Sequence, residues 1–438
     1  MNIKRIQVGY FKNLDEITLD CSKMISLVSV NNYGKSNLLE GIKFGLDFIT
    51  LSPKMRSARM HWRRGIPLTP ALVGKDYFFS IEFEDTTLGE YRYIRYGYRF
   101  AWYNDIGTGG RITDEFLELR STESVKYTSY LKRAENKYRS SKSTTAFRKL
   151  ALSDDTLAID VIGMVEDVDI ADVVTAIKNI SYRLCDSLEL SDSFDPSPIE
   201  FDFGENVVLG NEDIPRMLAT LMNKRPELYK LYLETIYDLF PEFSKVELQT
   251  LEVKGQDNLK ALLLTNINSD SKEAKTAIPY HIRDELYRLV IKSNYLNQPI
   301  SMEHMSTGTK RIFWLIANAV VSKYTNICLL GIDEVETSIH PRMIRNLLEA
   351  LSEILGNTSM IVTSHSPYLI QYLKPESIYV GVPNSEGVAK FKRIQKKKLK
   401  SLINTTRNLE VSIGEYLFEL MSGDDDSAKV LSSYLEDV

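Results

Sequence analysis

Along the first fifty residues the apolar positions change period twice. Ile3 to Phe11 alternates, Met24-Ile25-Ser26-Leu27-Val28 is a near-continuous apolar run, and Ser36 to Ile49 carries helical spacing. The order predicts strand, loop, helix. From Tyr77 to Leu119 period two takes over, as in Tyr77-Phe78-Phe79-Ser80-Ile81-Glu82-Phe83-Glu84 and Tyr91-Arg92-Tyr93-Ile94-Arg95-Tyr96-Gly97-Tyr98. Aromatic and β-branched alternation of this kind predicts antiparallel strands. Gly107, Gly109 and Gly110 supply a turn before Glu115 to Arg120. The tyrosines are expected to pack across strands rather than to form a base-stacking surface.

From about Ser121 to Ser301 the pattern predicts a largely helical middle. It opens with a Lys/Arg/Ser-rich stretch, Lys132 to Lys149, and includes an Asp- and Pro-containing loop at Asp192 to Pro198. One helix is expected over Asp213 to Leu239, with Leu218, Leu221, Leu228, Leu231, Leu233 and Ile236 as core contacts. Strand-like runs follow at Lys245 to Val253 and Ala261 to Thr265. The last part returns to α/β order: helix Thr307 to Ser322, strand Asn326 to Ile332, helix Pro341 to Leu355, strand Met360 to Thr363. That alternation implies parallel strands, with the ligand at their carboxyl ends. No internal repeat of fixed period is found.

Composition changes this picture little. The chain has 438 residues, 43% hydrophobic and 26% charged, with a formal net charge of −5. That total argues against a uniformly basic coat, although local patches remain open. Cys21, Cys185 and Cys328 are scattered, so neither a disulfide framework nor a zinc site is encoded. The start, Met1-Asn2-Ile3-Lys4-Arg5-Ile6, lacks a signal-peptide core, and the most apolar window, Ile312 to Ile332, is broken by Asn318, Lys323 and Asn326. The expectation is a cytoplasmic protein without a membrane span.

Candidate chemistry sits where strands end. Ser29-Val30-Asn31-Asn32-Tyr33-Gly34-Lys35-Ser36-Asn37 is a phosphate-binding loop pattern with Ser29 in place of the first glycine. A strand feeding a tight loop and then a helix aims backbone N–H groups at one anion. Lys35 would add a point charge for the outer phosphates, and the Ser36 hydroxyl would hold Mg²⁺. Strand Ile327 to Ile332 delivers Asp333 and Glu334, the second half of a nucleoside triphosphate site: Asp333 for the Mg²⁺ shell, Glu334 as general base for the attacking water. Strand Met360 to Thr363 runs into Ser364-His365-Ser366-Pro367, where His365 could meet a γ-phosphate oxygen or the water. Ser306-Thr307-Gly308-Thr309-Lys310-Arg311 opens a helix with Ser306 as N-cap. Its functional reading is a second phosphate-contacting helix end, facing a nucleotide bound to another subunit.

Taken together, these segments resemble the ABC-type ATPases of the RecF/SMC and OLD-like group, above all the stand-alone bacterial AAA15/AAA21-like ATPases. Asn31, Asn32, Gly34, Lys35, Ser36 and Asn37 match that family's phosphate loop, and Ser306-Thr307-Gly308 with Lys310-Arg311 resembles its signature. Ile332-Asp333-Glu334-Val335-Glu336 with Ile339-His340-Pro341 is similar to its extended Walker B, and Thr363-Ser364-His365-Ser366-Pro367 to its switch-histidine motif. The resemblance covers roughly residues 1–120 and 301–385. It implies an α/β ABC-ATPase head, with a mixed sheet around the phosphate loop, an antiparallel β-subdomain and a helical lobe or insertion. The implied division is residues 1–120 for the first half of the head, 121–300 for the lobe, 301–385 for the second half and 386–438 for a C-terminal extension. It also implies ATP and Mg²⁺ as cofactors and at least a homodimer, two heads sandwiching two nucleotides, with Ser306 and Gly308 of one subunit completing the other's site. Two departures stand out. If the first loop position needs a positive φ, Ser29 costs about 1 kcal/mol, with loose binding or slow turnover as the consequence. No glutamine can be assigned to the Q-loop.

Asp424-Asp425-Asp426 reads as a solvated acidic tail, and no nuclease pattern appears. An OLD-like ATPase without an effector domain resembles the ATPase half of two-gene anti-phage systems such as PARIS or Septu. The leading expectation is an ATP-fuelled sensor and scaffold that controls a separate effector, a nuclease, and answers to DNA or a phage protein. The alternative is a RecF/SMC-like DNA-binding ATPase of repair or maintenance, with Lys54, Arg56, Arg59, Arg63 and Arg64 around Trp62, and Lys396-Lys397-Lys398, as DNA contacts. A third reading is a scaffold that binds ATP and hardly hydrolyses it.

Overall fold

A computed structural model describes residues 1–438 apart from 68, 105–106, 136, 139–147, 150, 165–169, 187–192, 196–198, 202–212, 253–279, 283–284, 383–385 and 437–438. The expected strand at Ala261 to Thr265 lies outside the described residues. So do most of the polar stretch Lys132 to Lys149 and most of the loop Asp192 to Pro198. The chain forms two compact units, one of Met1–Leu184, Asn326–Val335 and Gly356–Val438, the other of Cys185–Thr325 and Glu336–Leu355.

In chain order the first unit begins with strands β1 (Asn2–Gly9), β2 (Ile17–Asp20) and β3 (Met24–Val28), then helices α1 (Lys35–Thr50) and α2 (Pro53–Met60). Strands β4 (Tyr77–Glu84), β5 (Tyr93–Ala101), β6 (Arg111–Arg120), β7 (Thr128–Lys132), β8 (Lys137–Tyr138) and β9 (Arg148–Lys149) follow. These build an antiparallel sheet in the order β2-β1-β4-β5-β6-β7-β8-β9. Its tyrosines pack as expected: Tyr77, Tyr96 and Tyr98 are fully buried. Two of them also hold α1, because the Tyr77 hydroxyl donates to the Gly41 carbonyl at 2.9 Å and Tyr98 to that of Gly45 at 2.8 Å. A Cβ on Gly45 would lie 2.2 Å from the Phe79 ring, so the helix approaches the sheet only because glycine stands there. Phe48 stacks on Tyr98 and Phe100, both with centroids 5.0 Å away.

Helices α3 (Ala158–Ile162) and α4 (Ala171–Lys178) lead to β10 (Tyr182–Cys185). Later strands β16 (Leu329–Ile332), β17 (Ser359–Ser364), β18 (Ile378–Gly381) and β19 (Phe391–Arg393) complete a second sheet, ordered β10-β16-β17-β3-β18-β19. Its centre is parallel: β17 lies between β16 and β3, and β18 flanks β3 on the other side. This is the parallel order that the sequence alternation implied.

The second unit holds β11 (Ile199–Phe201), α5 (Ile214–Lys224), α6 (Pro226–Leu239), β12 (Phe243–Glu252), β13 (Tyr280–Ile282), β14 (Glu285–Ser293) and β15 (Ile300–Ser301). It also holds the helices Thr307–Tyr324 and Pro341–Leu355. The single helix expected over Asp213 to Leu239 breaks at Arg225, since Pro226 cannot continue the hydrogen-bond ladder and keeps the residue before it out of the helical region. The break resets the phase, so α6 buries Leu228, Tyr232, Thr235, Ile236 and Leu239. Leu231 and Leu233 are only half-buried. Nor, among the described residues, is the middle largely helical: β12-β14-β15 form a three-stranded antiparallel sheet, and β11 pairs with β13.

The C-terminal residues fold back into the first unit. Leu402, Leu417, Leu420, Leu431, Tyr434 and Leu435 join a core with Val28, Ile378 and Val380. Asp424-Asp425-Asp426 is therefore not a tail. Asp424 caps the helix Asp425–Tyr434 by accepting from Ser427 N at 3.0 Å, and the two following carboxylates sit where the helix dipole favours them. Among the described residues no helix is long and apolar enough to cross a membrane.

Candidate nucleotide-binding site

Parallel pairing brings three chain segments to one edge of the second sheet. Val28 of β3 is level with Ser364 of β17, and Ile332 of β16 with Val362. The loop Ser29–Gly34, the pair Asp333-Glu334 and the segment Thr363-Ser364-His365 therefore leave neighbouring strands at their carboxyl ends, all within the first unit.

The loop's shape is written in two residues. Asn32 takes φ 58°, a left-handed conformation that asparagine tolerates, and Gly34 takes φ 130°. A Cβ on Gly34 would also meet the Ala389 Cβ at 2.8 Å. Helix α1 then starts with no side-chain cap and no acidic residue in its first turn. A helix start of this kind fits a phosphate. Ser29 does not adopt a positive φ, so the strain expected of it is absent. It is fully buried, its Oγ donates to the Val30 carbonyl at 3.1 Å, and it accepts from Lys35 Nζ at 3.2 Å. The Lys35 ammonium also donates to the carbonyls of Ser29 at 2.9 Å and Val30 at 3.1 Å. Serine at this position is thus an additional acceptor for Lys35.

Asn31, Asn32 and Ser36 are exposed, whereas Asn37 is engaged elsewhere. The Asn37 Nδ2 donates to Asn13 Oδ1 at 2.8 Å and its Oδ1 accepts from Lys12 Nζ at 3.2 Å. Asn13 in turn donates to the Tyr33 carbonyl at 3.0 Å, while the Tyr33 hydroxyl donates to the Val382 carbonyl. Asn37 therefore braces the loop through Asn13. Neither Asn13 nor Tyr33 was singled out in the sequence, because the partners lie 20 to 349 positions apart.

Across the sheet, the Thr363 hydroxyl donates to Asp333 Oδ1 at 2.5 Å and accepts from Glu334 N at 2.8 Å. Glu334 takes φ 48°. Its Oε1 lies 2.8 Å from His365 Nε2. An ionised carboxylate can only accept, so Nε2 carries the proton in that bond. Lys35, Ser36, Asp333, Glu334 and His365 all belong to this unit.

Ser306 and Gly308 belong to the second unit. Ser306 is exposed and caps its helix as expected, accepting from Thr309 N at 3.2 Å. Gly308 has a packing reason of its own, since a Cβ there would lie 2.3 Å from the Ser338 carbonyl oxygen.

Two of the suggested DNA contacts are spent on the core. Arg56 is fully buried, ion-paired with Asp160 and donating to the carbonyls of Phe48 and Ile49 at 2.9 and 2.8 Å. Trp62 stacks on Phe44 at 5.7 Å. Lys54, Arg63 and Arg64 remain exposed and Arg59 half-exposed.

The fold is that of an ABC-type ATPase head. The SMC head bound to the C-winged helix domain of ScpA superposes with a TM-score of 0.52 at 12% identity, covering 92% of this chain and 100% of that one. The Smc head with an extended coiled coil, bound to the C-terminal domain of ScpA derived from Pyrococcus furiosus, gives 0.49 at 13% identity over 93% and 99%. The SMC head from Thermotoga maritima gives 0.44 at 11% over 90% and 100%. Residues 30–371 match the family described as "AAA domain, putative AbiEii toxin, Type IV TA system", and the chain belongs to that family. No curated protein matches it.

Proposed function

We propose that the protein binds and hydrolyses ATP with Mg²⁺ at head-to-tail interfaces between two copies of the chain. The observation that carries this reading is the hydrogen-bonded group Asp333, Glu334, Thr363 and His365 beside the strand that ends in the Lys35 loop. Lys35 neutralises charge on the outer phosphates, and the uncapped start of α1 binds them. Ser36 and Asp333 are hard oxygen donors, too few for an all-protein cage and suited to an ion that keeps waters and substrate oxygens. Mg²⁺, when bound, neutralises the charge that develops between the β- and γ-phosphates. Glu334 accepts a proton from the attacking water, and His365, donating from Nε2, orients that carboxylate. Ser306 and Gly308 of the partner subunit close the site at an exposed helix end. We assign the assembly to sensing and scaffolding: ATP-dependent association controls a separate effector nuclease in anti-phage defence, and DNA or a phage protein is the trigger. Support for this part comes from the family and from the absence of a nuclease pattern in the sequence. Incubating the purified protein with plasmid DNA, Mg²⁺ and ATP is expected to leave the plasmid intact; robust cleavage would overturn the separate effector.

One surface favours the second reading, a DNA-binding ATPase. Lys396, Lys397, Lys398 and Lys400 are all exposed, and among the described residues none makes an ion pair. Nearby Lys390 and Arg393, by contrast, are paired with Asp15 and with Glu436. Arg407, one heptad on from Lys400, extends the stripe along the helix Leu399–Asn408. Under this reading duplex affinity falls steeply with salt, and replacing the four lysines by glutamine reduces the slope of log affinity against log salt by about three to four. A salt slope unchanged by those substitutions would remove the surface from consideration.

A further inference from the structure

The family resemblance gives Thr363 no role beyond its place in the motif, yet three consecutive residues hang on it. It is fully buried at the end of β17. Its hydroxyl carries one proton, given to Asp333 Oδ1 at 2.5 Å, and its oxygen accepts from Glu334 N at 2.8 Å. Its carbonyl accepts from Val335 N at 3.3 Å. The second of these bonds coincides with an unusual backbone. Glu334 sits at φ 48°, in the left-handed region that a residue with a Cβ disfavours. The bond from Glu334 N to the Thr363 hydroxyl anchors the chain at this turn.

We propose that Thr363 is a positioning residue whose hydroxyl sets both Walker B carboxylates at once. By donating to Oδ1 it fixes the rotation of the Asp333 carboxylate assigned to Mg²⁺. By accepting from Glu334 N it holds the left-handed turn that aims the carboxylate assigned to water. A hydroxyl can do both because it is donor and acceptor in one atom. Valine has the same shape and neither function. The inference rests on the ATPase reading above.

Full-length wild type, Thr363→Val and Thr363→Ser are compared by titration with a fluorescent ATP analogue, with Mg²⁺ and with EDTA, and by steady-state ATP turnover and thermal melting. Thr363→Val is expected to bind the analogue in EDTA within about threefold of wild type, to lose most of the affinity gained on adding Mg²⁺, and to lower kcat by about 10–100-fold. Thr363→Ser is expected to stay within about threefold of wild type in all three. If valine does not fold, Thr363→Ala replaces it. A valine variant with wild-type Mg²⁺ response and kcat, whatever its melting temperature, would reduce Thr363 to packing. A serine variant as impaired as valine would overturn the hydroxyl argument equally. A wild-type protein with neither turnover nor Mg²⁺-dependent binding would instead sink the ATPase reading, and the Thr363 assignment with it.

Discussion

Ser29 illustrates how one side chain decides between strain and support. Its φ lies outside the left-handed region, and its hydroxyl bonds both Val30 and Lys35. Gly381 packs against it so closely that a Cβ there would approach the Ser29 Cβ to 2.6 Å. Replacing Ser29 by glycine therefore relieves nothing and removes both of those hydrogen bonds. Ser29→Gly is expected to lower stability by about 1 kcal/mol and to leave ATP affinity within about threefold of wild type. Calorimetric titration and melting curves read both; a variant that binds ATP tenfold more tightly would restore the idea of a strained serine. Glu334 and Asn32, not Ser29, are the residues of this site with a left-handed backbone, and Glu334 carries the carboxylate assigned to chemistry.

At the scale of elements, Glu115 ties strand β6 to helix α3. Its carboxylate accepts from Ala158 N at 2.6 Å, Ile159 N at 3.1 Å and the Tyr96 hydroxyl at 3.1 Å. Complete burial pushes it up to about 7, although those donors and Arg133 favour the charged form. An acid raised on folding holds its proton longer in the folded state. Its contribution is therefore greatest below its unfolded pKa of 4.5 and is lost as pH rises toward 7, by up to about 1.4 kcal/mol per pH unit. Glu115→Gln should remove that slope from a stability profile between pH 5 and 7; an unchanged profile would mean the carboxyl ionises normally. Elements were legible in the sequence where one local pattern carried them. The helix Pro341–Leu355 and the strands flanking it alternate clearly, and the loop, the Asp333-Glu334 pair and His365 each follow an apolar run. What stayed hidden was tertiary. Thr363 bridges to Asp333 across two strands, Asn13 supports Tyr33 from another loop, and Arg56 looks like a surface cation until Asp160 is folded against it. The break at Pro226 was readable, but good apolar spacing on both sides of it masked the change of phase.

At the scale of the whole molecule, the sheet that holds β3 and its loop gains β16, β17 and β18 only some 300 residues later in the chain. That topology is how distant motifs come to one sheet edge, and it matches the SMC-type head and the AAA family the chain belongs to. The exposed cap at Ser306 suits an interface with a second copy, so ATP should drive association. The most direct test of the account is ATP turnover and ATP-dependent dimerisation of wild type beside Glu334→Gln, by phosphate release and light scattering. The account predicts that Glu334→Gln binds ATP as well as wild type, turns over at least about a hundredfold more slowly, and accumulates as the ATP-bound dimer. Wild-type turnover by Glu334→Gln, or a monomer at saturating ATP with Mg²⁺, would contradict it.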